Sequence, residues 1–351
     1  TEKSLTIIKK ILKKANSKKY IIISSQLPVG SIKELELFSK NKLRKSFNFF
    51  YCPENLRVGN AIKSFFSSAR LVVGYRKNDS KKNLEKFFKS ITKNIVWMKI
   101  ESAEITKHAI NSFLANSVSF INEISAICEK TNANAREVEM GLKTEPRIGK
   151  KAFLSPGLPF SGGTLGRDVN YLNQVSKKFN IKSPLISSIK VSNENHKNWI
   201  YEILQDLILG KKLKRVVIWG FSYTANTNTL QRSFGIEISK WLIKQKVKVF
   251  GYDYKIKSLP KFIGKMKKPT SKIPNCDALI ILNNSEEFQD ISVHKMKRLN
   301  KKIFIIDPNY VCSNLEKLYK NNYISVGKTK LKNLNKHSKI NSNYNLKQKS
   351  V

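Results

Sequence analysis

Acidic residues are scarce: the 351 residues carry 25 Asp and Glu against 66 Lys and Arg, a formal charge of +41. Taken alone, an excess of that size points to nucleic acid as a partner, because phosphates attract a basic surface. The lysines are spread over nearly every segment, however, and come with many Asn and Ile, as in a bias of the whole sequence. No zinc-finger spacing and no aromatic RNP pattern accompanies them, so a nucleic-acid partner is not the expectation. Cysteine is rare too. Cys52, Cys128, Cys276 and Cys312 lie far apart and form no C-x-x-C pair, which argues against a metal site and a disulfide framework and for a reducing cytoplasm. Long apolar runs are missing: none approaches a membrane span, and the opening TEKSLTIIKK lacks the apolar core of a signal peptide, so a soluble protein with no membrane partner is expected. The last absence is a spacing. The G-x-G-x-x-G turn that opens a dinucleotide-binding strand and helix occurs nowhere.

What is present is periodic. The 40% hydrophobic content is that of a globular chain with room for two or three domains. Over residues 4–15, Leu5, Ile8, Ile11 and Leu12 form a helical stripe, and Tyr20-Ile21-Ile22-Ile23 then reads as a buried strand of parallel type. Helix, strand and loop repeat through Phe49-Phe50-Tyr51 and Leu71-Val72-Val73, the alternation of a doubly wound α/β sheet. Residues 105–128 keep helical spacing for about six turns, too long for a surface helix of a small α/β unit. Shorter helices are expected over 133–141 and 169–179, and a polar helical stretch follows Asn193. Strands at 215–220, 247–252, 278–282 and 302–306, with a helix at 236–245, predict a second α/β sheet. From Gly327 onward no acidic residue and almost no apolar period occurs, which reads as a disordered basic tail.

Between these sheets residues 145–169, EPRIGKKAFLSPGLPFSGGTLGRDV, hold three prolines and five glycines. A loop of that length in a compact domain builds a site or is disordered; its composition predicts a site. The run Phe160-Ser161-Gly162-Gly163-Thr164-Leu165-Gly166-Arg167-Asp168 sets small residues where backbone meets a ligand, then a hydroxyl, a cation and a carboxylate. It resembles the active-site loop of the UDP-glucose/GDP-mannose dehydrogenase family. Further segments match that family in order over roughly residues 20–310. They are Ser25-Gln26-Leu27-Pro28-Val29-Gly30, Cys52-Pro53-Glu54-Asn55-Leu56-Arg57, Lys107-His108-Ala109-Ile110-Asn111-Ser112-Phe113-Leu114 and Gly220-Phe221-Ser222-Tyr223-Thr224-Ala225-Asn226-Thr227.

The resemblance implies an α/β fold of two Rossmann-like parallel sheets joined by a long central helix. The first sheet is incomplete at its N-terminus, because the chain begins partway through the family's first domain. It implies a partial NAD-binding domain over 1–95, a central helical dimerisation domain over 96–200, a C-terminal nucleotide-sugar-binding domain over 201–326 and the tail over 327–351. The activity implied is NAD-dependent oxidation of a nucleotide-linked sugar for polysaccharide precursor synthesis, in a homodimer. Carried over by position, Lys107 is the base and oxyanion lysine, Asn111 holds the developing oxyanion, Asp168 closes the loop, and Glu54 is the acid of an altered N-P-E-F motif. Substrate positions are Arg147, Phe153, Phe160, Gly162, Gly163 and Thr224; cofactor positions are Ser25, Gln26, Glu54 and Gln231, together with Arg232, which is adjacent to the last and able to substitute for it.

Several positions depart from the pattern. The nucleophilic cysteine is Thr164, the threonine of the S-T-V-P turn is Gln26, the lysine after Gly-x-x-Phe is Thr224, and the pyrophosphate arginine is Gln231. A thiol ionises readily in an electropositive site whereas an alcohol needs a strong base, so Thr164 is expected to hydrogen-bond loop backbone rather than capture an aldehyde. One hydride transfer remains reasonable; the second has lost its thiol. Two alternatives stay open at this point, a non-catalytic nucleotide-sugar-binding homologue and a basic nucleic-acid-binding protein. Gly220, ending a strand before a Thr- and Asn-rich turn, marks a place where an α/β sheet binds a phosphate-bearing ligand.

Overall fold

The structure, a computed structural model, describes residues 2–53, 70–161, 163–222, 225, 227–271, 273–289, 291, 296 and 302–328. The chain divides into two units, Thr1–Phe113 with Asn170–Ile181, and Leu114–Val169 with Lys182–Val351. The central segment read from the sequence as 96–200 is therefore shared between them.

In the first unit α1 (Glu2–Lys14), β1 (Tyr20–Ile23), α2 (Ser31–Leu43), β2 (Asn48–Tyr51), β3 (Leu71–Tyr75), α3 (Asn78–Lys89) and β4 (Ile95–Lys99) alternate as the apolar periods dictate. Their strands form one sheet in the order β1-β2-β3-β4. The β1–β2 and β3–β4 pairs are parallel, but Tyr51 opposite Gly74 makes β2–β3 antiparallel. A short run of apolar residues marks a strand and not its direction, so this reversal was invisible in the sequence. Leu12 of α1 is fully buried with Ile23, Leu27, Ile32 and Leu35, worth about 1.5–3 kcal/mol for such a side chain. Ile11, expected on the same stripe, is instead 56% exposed. It sits one position from Leu12, about 100° round the helix.

A helix of 32 residues, α4 (Ile100–Thr131), runs from the first unit into the second and exceeds the expected 105–128 at both ends. The second unit continues with α5 (Ala135–Thr144), α6 (Leu165–Lys178), whose last turns belong to the first unit, and α7 (Pro184–Leu209). Helix α7 starts nine residues before Asn193 because Ser183 and Pro184 supply its N-cap and a proline at the first position, where its fixed φ suits a helix. The second sheet comprises β5 (Arg215–Trp219), β6 (Lys248–Tyr252), β7 (Gly264–Lys265), β8 (Ala278–Ile281), β9 (Phe304–Ile306) and β10 (Tyr323–Ile324). Its order is β10-β9-β8-β5-β6-β7, parallel throughout. Strand β5 explains why it reads as a continuous apolar run: Val216 and Ile218 pack with Leu204 and Ile238 on one face, Val217 and Trp219 with Met266 and Phe288 on the other. Helix α8 (Phe234–Lys244) lies on the first of these faces through Ile238 and Leu242.

Gly327 and Lys328, expected at the start of the basic tail, are tied to the fold. Gly327 N donates to Glu129 Oε1 at 2.9 Å, its carbonyl accepts from Ala135 N at 2.9 Å, and Lys328 pairs with Glu316. Residues 329–351 lie outside the described residues.

Candidate active site

A cleft of about 450 Å³ opens in the second unit at the carboxyl ends of β5 and β8. One wall is the loop from Phe153 to Ser161; the others are Gly220 to Ser222, Phe234 and Gly235 at the start of α8, Leu282 to Asn284, and Asn309. Pro156 and Pro159 keep the loop out of helix and sheet, so its backbone groups need other partners. Side chains provide them. Pro156 O accepts from Arg136 Nη2 at 2.6 Å, Gly157 N donates to Asn122 Oδ1 at 3.1 Å, and Gly157 O meets His196 Nε2 at 2.8 Å. Leu158 N donates to Asn309 Oδ1 at 2.8 Å, and Asn193 binds both N and O of Phe160, at 2.8 and 3.0 Å. Asn122, Arg136, His196 and Asn309 were absent from the sequence reading, and Asn193 entered it only as the start of a helical stretch.

The floor is organised by Asp253, directly after β6. One carboxylate oxygen accepts from Phe221 N (2.7 Å), Ser222 N (2.9 Å) and Ser222 Oγ (3.0 Å). The other accepts from Lys255 N (2.9 Å) and Ile256 N (3.2 Å). Asn283 Nδ2 donates to Ser222 Oγ at 3.0 Å. Gly220 has φ +85°, and a Cβ there would come within 2.5 Å of Asn283 Cγ, so this turn admits only glycine. Asp253 and Asn283 could have been found from the rule that ligands of parallel sheets collect at strand carboxyl ends, since each follows a strand.

The expected residues are distributed as follows. Lys107, half-buried, and Asn111, buried, lie one turn apart on α4 in the first unit. Around them, His108 stacks on Tyr171 with centroids 4.0 Å apart, takes Gln26 Nε2 at 3.2 Å and meets Leu27 O at 3.1 Å. Ser25 is exposed at the end of β1. In the second unit Thr164 is exposed, its carbonyl accepting from Asp168 N at 3.2 Å. Asp168 itself is fully buried, and Arg167 Nε approaches it at 3.3 Å. Phe153 and Phe160 line the cleft. Gly163 faces Arg232: a Cβ on Gly163 would lie 2.3 Å from Arg232 Nη1. Gln231, the aligned position, is exposed, with its N–H on Thr229 Oγ1 at 3.1 Å. Arg147 does not join the cleft; it is 88% exposed and pairs with Glu145 at 2.7 Å. Glu54, Gly162 and Thr224 lie outside the described residues.

None of the four cysteines offers an exposed thiol, since all are buried. Burial pushes Cys52 up to about 11 and Cys312 higher still, the reverse of an activated thiolate. Among the described residues no helix is long and apolar enough to cross a membrane.

Three segments match models of one family. Residues 2–92 match "UDP-glucose/GDP-mannose dehydrogenase family, NAD binding domain", 101–195 its central domain and 217–314 its UDP binding domain. The chain is similar to a UDP-glucose 6-dehydrogenase of Rickettsia bellii, 31% identical over 316 residues, covering 86% of this chain and 71% of the relative. It is also similar to UDP-glucose 6-dehydrogenase TuaD of Bacillus subtilis, 29% identical over 322 residues, covering 89% and 69%. Among solved structures it shares its fold with a UDP-glucose dehydrogenase from Pyrobaculum islandicum, with a TM-score of 0.77 at 19% identity over 93% of this chain and 74% of that one. An NDP-N-acetyl-D-galactosaminuronic acid dehydrogenase from Methanosarcina mazei gives 0.77 at 19%, over 93% and 73%. With every segment matched in order and a relative above 30% identity spanned over most of its length, the chain belongs to the UDP-glucose/GDP-mannose dehydrogenase family.

Proposed function

We propose that this chain is an NAD-dependent nucleotide-sugar dehydrogenase that oxidises the alcohol of a nucleotide-linked sugar by a single hydride transfer. The observation that carries the reading is the Lys107–Asn111 pair, withdrawn from solvent one turn apart on α4, in a chain whose three segments all match this family. Lys107 moves the hydroxyl proton, and the Asn111 amide donates to the alkoxide as charge develops on it. Asp168, buried at the first turn of α6 beside Arg167, holds the loop that carries Thr164. Thr164 forms no acyl intermediate in this reading, because an alcohol needs a far stronger base than a thiol to ionise, its ester is a poorer acyl donor than a thioester, and a buried thiol cannot replace it.

The first unit fits one side of a nicotinamide dinucleotide. Parallel β1 and β2 end together, so Ser25 and Gln26 stand beside Cys52 and Pro53 at their carboxyl ends, where an open α/β sheet takes such a ligand. NAD, when bound, supplies the hydride acceptor. Arg232, not Gln231, supplies the cation at the loop, since Gly163 leaves room for its guanidinium. A homodimer is part of the reading: Phe113, Phe120 and Ile127, seven apart on α4, are 70%, 46% and 58% exposed and form an apolar stripe that calls for a second copy. Four buried cysteines, none in a disulfide, fit a cytoplasmic home. The relatives' names make UDP-glucose the first substrate to test. NADH absorbance appearing with UDP-glucose or another nucleotide sugar, and lost in Lys107→Ala, supports the reading; nucleotide-sugar binding without NADH would favour the non-catalytic homologue that Thr164 brings to mind.

A further inference from the structure

The turn that follows β1 in the first unit is hung on side chains rather than on strand partners. Pro28 has no N–H to offer. Of its neighbours, Leu27 N donates to Tyr51 Oη at 3.0 Å, Val29 N to Tyr171 Oη at 2.6 Å, and Gly30 N and Ile32 N to Glu104 at 2.7 and 3.0 Å. His108 of α4 completes the set. Its ring is 4% exposed and lies on Tyr171 with the planes 29° apart. Both ring nitrogens are engaged, Nε2 with Leu27 O at 3.1 Å and Nδ1 with Gln26 Nε2 at 3.2 Å. The two contacts determine each other. A carbonyl oxygen only accepts, so Nε2 carries the ring proton; Nδ1 of the neutral ring is then an acceptor, and the Gln26 amide can meet it only through its NH2 end. The amide's Oε1 is thereby turned away from the imidazole.

We infer that His108 is a positioning residue: it fixes which end of the Gln26 amide is presented at the carboxyl end of β1, and ties that amide to the helix that carries Lys107 and Asn111. A glutamine by itself offers a donor or an acceptor. Here the choice is made by a ring that Tyr171 and Leu27 hold in place. The dinucleotide group that Gln26 meets is therefore a donor, a ribose hydroxyl or the carboxamide N–H, and not a phosphate. Gln26 stands where the family resemblance places a threonine, so the pairing with His108 belongs to this chain's own departure from the pattern. The inference rests on the proposed function for the choice of NADH as probe.

Two measurements on the whole chain test it. Long-range nitrogen–proton NMR, with the His108 signals assigned by their loss in His108→Asn, should show a proton on Nε2 and none on Nδ1. In Gln26→Leu the tautomer should persist, because Leu27 O holds it, while the Nδ1 resonance moves as its hydrogen bond is lost. A proton on Nδ1, or an Nδ1 resonance indifferent to Gln26→Leu, overturns the inference. The second measurement is NADH fluorescence titration. His108→Phe keeps a ring on Tyr171 and removes both nitrogens, which should weaken NADH binding about tenfold. His108→Asn packs worse but places Oδ1 near the lost Nδ1, so it should bind within about threefold of the parent; a purely structural role predicts the reverse order. Gln26→Leu should match His108→Phe, and the two together should be no worse than either. Undiminished binding in His108→Phe, binding in His108→Asn no better than in His108→Phe, or additive losses overturn the positioning role. A parent chain that binds no NADH sinks the dinucleotide part of the proposed function, and the spectrum alone then decides whether His108 sets Gln26.

Discussion

The amide of Asn193 holds Phe160 by both of its ends, Oδ1 accepting from Phe160 N at 2.8 Å and Nδ2 donating to Phe160 O at 3.0 Å. Asn193 is buried and does not line the cleft, whereas Phe160 does. It therefore acts on ligand through the loop. Asn193→Leu keeps the volume and strands two backbone groups, which should cost about 2 kcal/mol in a denaturant titration and weaken UDP-glucose binding about tenfold. In a Phe160→Ala background the same change should still cost stability and no longer affect binding. An undiminished binding effect there would show that Asn193 does not work through Phe160.

Gly163 and Arg232 form a second such pair, the absent side chain of one making room for the guanidinium of the other. Gly163→Ala must displace a flexible side-chain end, so its stability cost should stay below about 1 kcal/mol. If Arg232 serves NAD, its removal and its displacement should weaken NADH binding by similar factors, about tenfold each, and the double variant should be no worse than either. Additive losses, or none, would detach Arg232 from the cofactor.

These pairs show where the sequence was legible. Tyr20-Ile21-Ile22-Ile23 and the run around Val216 announce buried strands because their side chains alone fix that outcome, and the α4 stripe announces a long helix for the same reason. The loop at 145–169 was set apart by its prolines and glycines, and part of it lines the cleft. What holds it was not legible. Asn122, Asn193 and Asn309 come from separate elements and meet the loop only in space, and no local pattern distinguishes them from the many other asparagines of this chain. Arg232 was legible as the neighbour able to substitute for Gln231, but its approach to Gly163 was not, since that depends on a turn in which Arg232 has φ +57°.

The exposed stripe on α4 makes the assembly testable. Phe120→Glu places a charge at its middle and should convert a dimer to a monomer in sedimentation velocity at micromolar concentration, with helix content unchanged. A monomeric parent protein would remove the homodimer from the account.

Glu104 gives a pH dependence. It is fully buried, accepts from Gly30 N at 2.7 Å and Ile32 N at 3.0 Å, and burial raises its pKa against the pull of those bonds and of Arg76. The folded value lies above the unfolded one, so the stability linked to Glu104 is complete below the ordinary glutamate range and is lost as pH rises through the folded value. Glu104→Gln should abolish that loss, at a pH-independent cost of about 1 kcal/mol for one backbone N–H left without its acceptor. Parallel stability curves for the two proteins between mildly acidic and neutral pH would contradict the assignment.

The account turns on Thr164, and the number of NADH formed per nucleotide sugar consumed tests it most directly. With Lys107 and Asn111 in place and no thiol at the loop, the expected value is one, with the Thr164→Cys variant moving it toward two. Two NADH per sugar from the unmodified chain, with an acyl adduct trapped on Thr164, would contradict it.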